Sequence, residues 1–191
     1  GDLFQAIEGI ADMRGFDLIV ANPPFVAAPE KLKASLYVHG GSDGLAVTRR
    51  LVSRACDHLE SQDGTLVMIG EFPNLSAEAL PPWLPDRPGW NHAAFFAEEH
   101  RQSAAVYAAD RARPPAEPLW TSSLRAAGVE DMISALIVSS FDGSRSASST
   151  ATSGTAWDCF VWPAKDADHS WMGSEHEAWI RAKVRERLPK K

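Results

Sequence analysis

An α/β fold on a mainly parallel sheet is predicted by three stretches that follow one another in the chain. "FDLIVANPPFV" (16–26) holds an apolar run from Phe16 to Ala21, broken only by Asp17 and closed by Pro23 and Pro24. A helical pattern runs from Gly44 to about Ser61, and Gly64 then opens a second apolar run, Thr65 to Ile69. Runs that are apolar throughout suit strands buried on both faces, as in a parallel sheet, and prolines end such a run because they cannot donate to a ladder.

The remaining elements are read in order. Asp2 to Gln5 has the spacing of a helix start, with Asp2 as cap, Gln5 reaching back, and Phe4, Ile7 and Ala11 on one face up to Gly15. Residues 27–39 are read as a loop. Asp43 is expected to cap the next helix, whose buried face is Leu45, Thr48, Val52, Ala55 and Leu59. Beyond Gly70 the pattern loosens, and Pro81 to Pro88 reads as a loop. A strand is expected at Ala93–Ala97, a helix at Arg101–Ala109, a helix at Leu119–Ala127 ended by Gly128, and a strand at Met132–Ser140. Residues 143–155 are nearly all Ser, Thr, Ala and Gly, the composition of a loop. Trp157–Trp162 is expected to pair antiparallel with the strand before it. Ser174 opens a last helix with a capping box to Glu177.

Composition narrows the function classes. Hydrophobic residues make up 45% of the 191 and charged residues 23%, which is ordinary for a globular chain. No apolar run reaches the ~20 residues of a membrane helix. The net charge of -6 argues against a protein that coats nucleic acid. Cys56 and Cys159 stand far apart with no metal-like spacing, so a reducing, cytoplasmic setting and no zinc site are expected. The chain opens on Gly1 with no Met, which reads as a piece of a longer protein.

Asn22-Pro23-Pro24-Phe25 is the stretch that carries chemistry. Open α/β sheets bind ligands beyond the carboxyl ends of their strands, and Asn22 stands at such an end. Neither proline has an N–H, so the stretch offers carbonyl acceptors on a stiffened backbone. The Asn22 side-chain carbonyl adds another. Two acceptors side by side suit a planar NH2 group, and Phe25 can stack on the flat group that bears it. Holding both hydrogens favours a pyramidal nitrogen with its lone pair aimed at an electrophile, and fixed dipoles meet the charge that develops.

"FDLIVANPPF" resembles the signature of class I S-adenosylmethionine-dependent methyltransferases that act on amide or base amino groups. "GDLF" at 1–4 resembles the segment bordering the cofactor's adenine in those enzymes. "GGSDGLAVTRRLV" at 40–52 is similar to the stretch that opens the next helix in the methyltransferases of peptide-release-factor glutamine, and "GTLVMIGEF" at 64–72 to the strand that follows. The later part more loosely resembles bacterial small-domain methyltransferases. The resemblance implies a Rossmann-like class I methyltransferase fold. Residues 1–72 would be the C-terminal part of the cofactor-binding core, 73–163 the remaining strands and inserted helices, and 164–191 a basic C-terminal helix. It implies S-adenosyl-L-methionine as cofactor, with Asp2 and Leu3 beside its adenine. Asn22 would lie near the cofactor and orient the target nitrogen, the Pro23 carbonyl would share that task, Pro24 would stiffen the turn, and Phe25 would stack. The Gly-rich loop and the acidic residue that holds the cofactor ribose would lie upstream of Gly1.

The substrate implied first is a glutamine in a release-factor-like protein. The release-factor enzymes usually carry Tyr where this chain has Phe25, which keeps rRNA, tRNA and DNA base amino groups as alternatives. A truncated homologue without catalysis is the non-enzymatic alternative. Plainer structural readings stand beside each residue: Asn22–Phe25 as a strand-ending turn, Asp2 as an N-cap, Leu3 as a packing residue, Arg49 and Arg50 as a solvated helix face. Glu98, Glu99 and His100 lack a spaced partner for a metal, and His169 and His176 are equally unsupported. The last helix, with Arg181, Lys183, Arg185 and Arg187, reads as docked by Ile180, Val184 and Leu188 with a basic face to solvent; contact with RNA phosphates is the alternative.

Overall fold

The computed structural model describes residues 3–8, 10, 15–30, 39–60, 62–87, 89–112, 116–142, 155–162, 178 and 181–182. The apolar run after Asp17 forms β1 (Leu18–Ala21), and the chain leaves the sheet at Asn22. It returns through α1 (Ala46–Ala55) to β2 (Gln62–Pro73), which lies parallel to β1 with Ala21 opposite Met68. β3 (Trp90–Ala97), β4 (Gln102–Ser103), α2 (Ala104–Arg111), α3 (Glu117–Ala126), β5 (Asp131–Asp142) and β6 (Ala156–Trp162) follow. The sheet order is β1-β2-β5-β3-β6, with β4 on the end of β5. β5 runs against β2 and β3, and β6 runs with β3. The result is a mixed α/β sheet in which β5 is reversed.

Successive strand residues face opposite sides of a sheet, and two cores follow from that alternation. Leu66, Met68 and Phe72 of β2 pack with Leu51, Val52 and Ala55 of α1 on one face. On the other face α2 and α3 bring Tyr107, Trp120 and Leu124 against Met132, Ala27 and Ala28. The residues of the expected helix face are buried, Leu45, Thr48, Val52, Ala55 and Leu59 each at most 8% exposed, but the helix ends at Ala55 and not near Ser61: Leu59 lies past it and bridges to Phe16.

Several expectations are corrected. β1 is not buried on both faces, because Leu18 is 55% and Val20 70% exposed. It forms the edge of the sheet, with β2 as its neighbour among the described residues. β6 pairs parallel with β3, not antiparallel with β5, because β2 and β3 already occupy both edges of β5. Asp43 does not cap α1 directly. Leu45 takes that place, and Asp43 acts one step earlier by accepting the Leu45 N–H at 3.0 Å. The helix expected from Arg101 starts at Ala104, since Gln102 and Ser103 pair with β5 first and the Ser103 hydroxyl accepts the Val106 N–H. Leu3–Ala6 is a 3-10 turn, and Ala11 lies outside the described residues. So do most of 164–191, although Ala178, Arg181 and Ala182 are helical. Among the described residues no helix is long and apolar enough to cross a membrane.

Candidate functional site

β2 continues past Met68, its partner for Ala21, to Pro73, so the loop leaving β1 has the end of β2 beneath it. Asn22 is exposed, and its amide has no hydrogen-bond partner among the described residues. Pro23 is buried; Pro24 and Phe25 are half-buried. The Phe25 ring lies over Gly70, where an added Cβ would come within 3.3 Å of the ring. A side chain at position 70 would crowd Phe25 and, at 3.4 Å, Phe72, so that one of them must give by a few tenths of an ångström.

The two loops singled out in the sequence meet in space. Val26 accepts the Gly40 N–H at 2.8 Å, and Gly41 accepts the Ala28 N–H at 2.9 Å. Gly44 has φ +80, and a Cβ there would lie 2.5 Å from the Phe25 carbonyl oxygen. A glycine is therefore required at position 44 both by its left-handed backbone and by the approach of the Phe25 carbonyl. The Gly40–Leu45 stretch is a backrest for residues 25–28 as well as a helix entry.

Behind the loop sits a polar cluster that the sequence reading did not single out. The Ala27 N–H donates to the Tyr107 hydroxyl at 3.1 Å, and that hydroxyl donates to Glu71 Oε2 at 3.2 Å. Glu71 also pairs with Arg111, whose guanidinium lies 3.8 Å from the centre of the Tyr107 ring. Burial, with the Glu71 carboxylate adding to it, pushes the Tyr107 hydroxyl above its ordinary pKa, so it stays protonated. Two signals pointed this way. Tyr107 and Arg111 are four apart on one helix, hence on one face, and Glu71 is a charge at the carboxyl end of an apolar strand. A polar cavity of about 200 Å³ beside the cluster is lined by Glu71, Glu99, His100, Gln102 and Arg111. Much of its charge is satisfied internally, Glu71 by Arg111 and the far side of Arg111 by Gln102 at 3.5 Å.

Of the residues expected beside a cofactor, Asp2 lies outside the described residues. Leu3 is half-buried with φ +52 and packs on the same core as Ile19 and Ala21 of β1. Among the described residues no set of His, Cys, Asp and Glu converges to hold a metal ion. Burial raises the pKa of both thiols, Cys159 up to about 12, which makes either a poor nucleophile.

Comparison with known proteins points first to a class. No family model matches the chain, but part of it is similar to bacterial protein glutamine methyltransferases. A ribosomal protein uL3 glutamine methyltransferase of Bradyrhizobium diazoefficiens is 39% identical over 89 residues, covering 42% of this chain and 27% of that protein. One from Neisseria gonorrhoeae is 37% identical over 88 residues, with 42% and 28% covered. A release factor glutamine methyltransferase of B. diazoefficiens is 34% identical over 87 residues, covering 40% of this chain and 29% of that protein. The chain thus spans less than a third of the length of these curated relatives.

Proposed function

We propose that the chain is the acceptor-side part of a class I S-adenosylmethionine-dependent methyltransferase that methylates a planar amide nitrogen, with a protein glutamine as first substrate. The observation that carries this reading is the exposed Asn22 amide at the carboxyl end of β1, beside a Phe25 seated on Gly70. The names of the relatives, uL3 and release factor glutamine methyltransferases, support the choice of substrate.

The chain's own residues divide the work. Asn22 Oδ1 and the Pro23 carbonyl each accept one hydrogen of the glutamine amide, which turns the nitrogen lone pair toward the electrophile. Phe25 covers one face of the amide plane and keeps water from it. The prolines hold the turn stiff, so little reorganisation remains at the moment of attack. Leu3 would border the cofactor's adenine. S-adenosylmethionine, when bound, would supply an electrophilic methyl carbon: the amide nitrogen's lone pair would form the N–C bond, the C–S pair would leave with sulfur, and one of the two amide hydrogens would pass to water as a proton.

The test uses the full protein with radiolabelled S-adenosylmethionine and, separately, uL3, a release factor and ribosomal RNA. Label is expected on a glutamine of one of the proteins. Label on RNA alone would move the substrate to a base amino group. Asn22→Ala is expected to cut transfer by roughly 100-fold or more, the scale of losing one oriented polar contact in a transition state. Its melting point should not move, because the side chain is exposed. Full activity in Asn22→Ala would remove the site from this loop.

A further inference from the structure

We propose that Tyr107 is a positioning residue for the acceptor loop, its hydroxyl clamping Ala27 to Glu71 and so setting where Asn22–Phe25 stands over β2. The inference rests on the reading of that loop as the methyl-acceptor site.

The argument begins with a buried N–H. Val26 and Ala28 face the Gly40–Gly41 backbone and exchange hydrogen bonds with it. Ala27, between them, points the other way and is 0% exposed. Its N–H would be orphaned in the interior without the Tyr107 hydroxyl, and buried backbone donors are almost always paired. Tyr107 is itself 0% exposed and reaches the loop from α2, 80 residues away in sequence. Its hydroxyl has one acceptor role and one donor role, and both are used, by Ala27 and by Glu71. Arg111 closes over the ring and pairs with Glu71, which balances the charge of the carboxylate.

Position in the chain links this clamp to the site. Glu71 directly follows Gly70, and adjacent strand residues face opposite sides of the sheet. Phe25 rests on Gly70, while Ala27, two residues on, is tied through Tyr107 to Glu71. The loop therefore straddles the end of β2 and is held from both faces. Loss of one hold lets Phe25 and Asn22 shift. A misplacement of about 1 Å is enough to cost roughly 100-fold in an oriented reaction.

The test is Tyr107→Phe in the full protein, which keeps the ring and removes the hydroxyl. It calls for kcat, KM for S-adenosylmethionine, cofactor affinity by calorimetry, and hydrogen exchange at the Ala27 amide by NMR. The expected result is a kcat loss of roughly 10-fold or more, unchanged cofactor KM and affinity, and faster Ala27 exchange. Unchanged kcat overturns the positioning role, whatever the exchange does. Unchanged exchange overturns the clamp. If the wild-type protein transfers no methyl group, the reading of the site falls and the positioning role with it, and the exchange measurement still decides separately whether the clamp exists. Should Tyr107→Phe not fold, Glu71→Gln takes the same measurements. It keeps an oxygen for the hydroxyl but loses the ion pair with Arg111, so a several-fold loss of kcat and faster Ala27 exchange are expected, and no change in either overturns the proposal.

Discussion

β1 and β3 run in the same direction in one sheet, yet they are built for opposite ends. Leu18 and Val20 of β1 are 55% and 70% exposed, whereas Ala93 and Phe95 of β3 are 5% and 0% exposed. Among the described residues β1 is at the edge of the sheet, whereas β3 lies between β5 and β6. The polar groups follow suit. Asn22, at the end of β1, is exposed, and its loop is held from behind by Gly44, Gly70 and Tyr107. His92, within β3, is 1% exposed, with Nδ1 2.8 Å from the Ser139 hydroxyl and Nε2 2.9 Å from the Pro85 carbonyl. One region presents a polar group on a braced backbone. The other consumes its polar group inside the core. A polar residue at a strand's carboxyl end is therefore a candidate for chemistry when its neighbours, and not its own side chain, carry the bracing.

The largest effect expected from this contrast is at Gly44. A Cβ there meets the Phe25 carbonyl at 2.5 Å, and the backbone φ is +80. Gly128, at the end of α3, has a similar φ of +73 but nothing within 4 Å of an added Cβ. Gly128→Ala should cost only the strained backbone, about 1 kcal/mol. Gly44→Ala adds a clash with main chain that cannot rotate away, and about 2–4 kcal/mol is expected. Urea unfolding of the two variants measures the difference. Equal losses would mean that the loop after β1 yields freely, and the brace would not be one.

The next effect belongs to β3. Burial drops the His92 imidazole from 6.5 to about 4, against the Pro85 carbonyl and Asp86, which work in the other direction. The fold favours the neutral ring, and the unfolded chain takes up a proton first as the pH falls. Stability is therefore complete above about pH 6.5, declines as the pH drops toward 4, and levels below that. The loss is up to about 3 kcal/mol, from about 1.4 kcal/mol per pH unit. Denaturant melts across this window check it. A His92→Asn variant should show a flatter slope there, and an unaltered slope would place the titration elsewhere.

Much of this was legible because it is local. The buried face of α1 up to Ala55 follows from helical period, and the end of β1 follows from Pro23 and Pro24, which no ladder accepts. What could not be read is set by which strand neighbours which. The run at Phe16–Ala21 looks like a strand covered on both faces, but apolar composition does not say that β1 takes the edge. Trp157–Trp162 looked like the partner of the preceding strand until β3 had filled that place, and β2 grew from the expected 65–69 to Gln62–Pro73 because β5 pairs along its length. The site divides in the same way. Asn22–Phe25 is a contiguous motif. Glu71 and Tyr107 are 36 residues apart, and each alone resembles an ordinary strand end or core aromatic.

The smallest effect tests whether charge or backbone holds the loop after β1. Arg49 pairs with Asp43 beside the Gly40–Leu45 backrest, but its side chain is 51% exposed, against 16% for Asp43. A pair open to water gains little and is screened by salt. Asp43 also has a second task, since Oδ1, which accepts from Arg49 Nη1 at 3.2 Å, also accepts the Leu45 N–H at 3.0 Å and shapes the entry to α1. Arg49→Ala should therefore cost less than about 1 kcal/mol, while Asp43→Ala should cost about 1 kcal/mol or slightly more, because the Leu45 N–H loses its acceptor. Thermal melts at low and high salt separate the two: the Arg49 effect should vanish with salt, while the Asp43 effect should shrink only by the ion-pair share and keep the part due to the Leu45 N–H. A larger loss for Arg49→Ala than for Asp43→Ala would mean that the ion pair itself holds the backrest, and the loop after β1 would then be braced by surface charge where the geometry of Gly40, Gly41 and Gly44 points to main-chain contact.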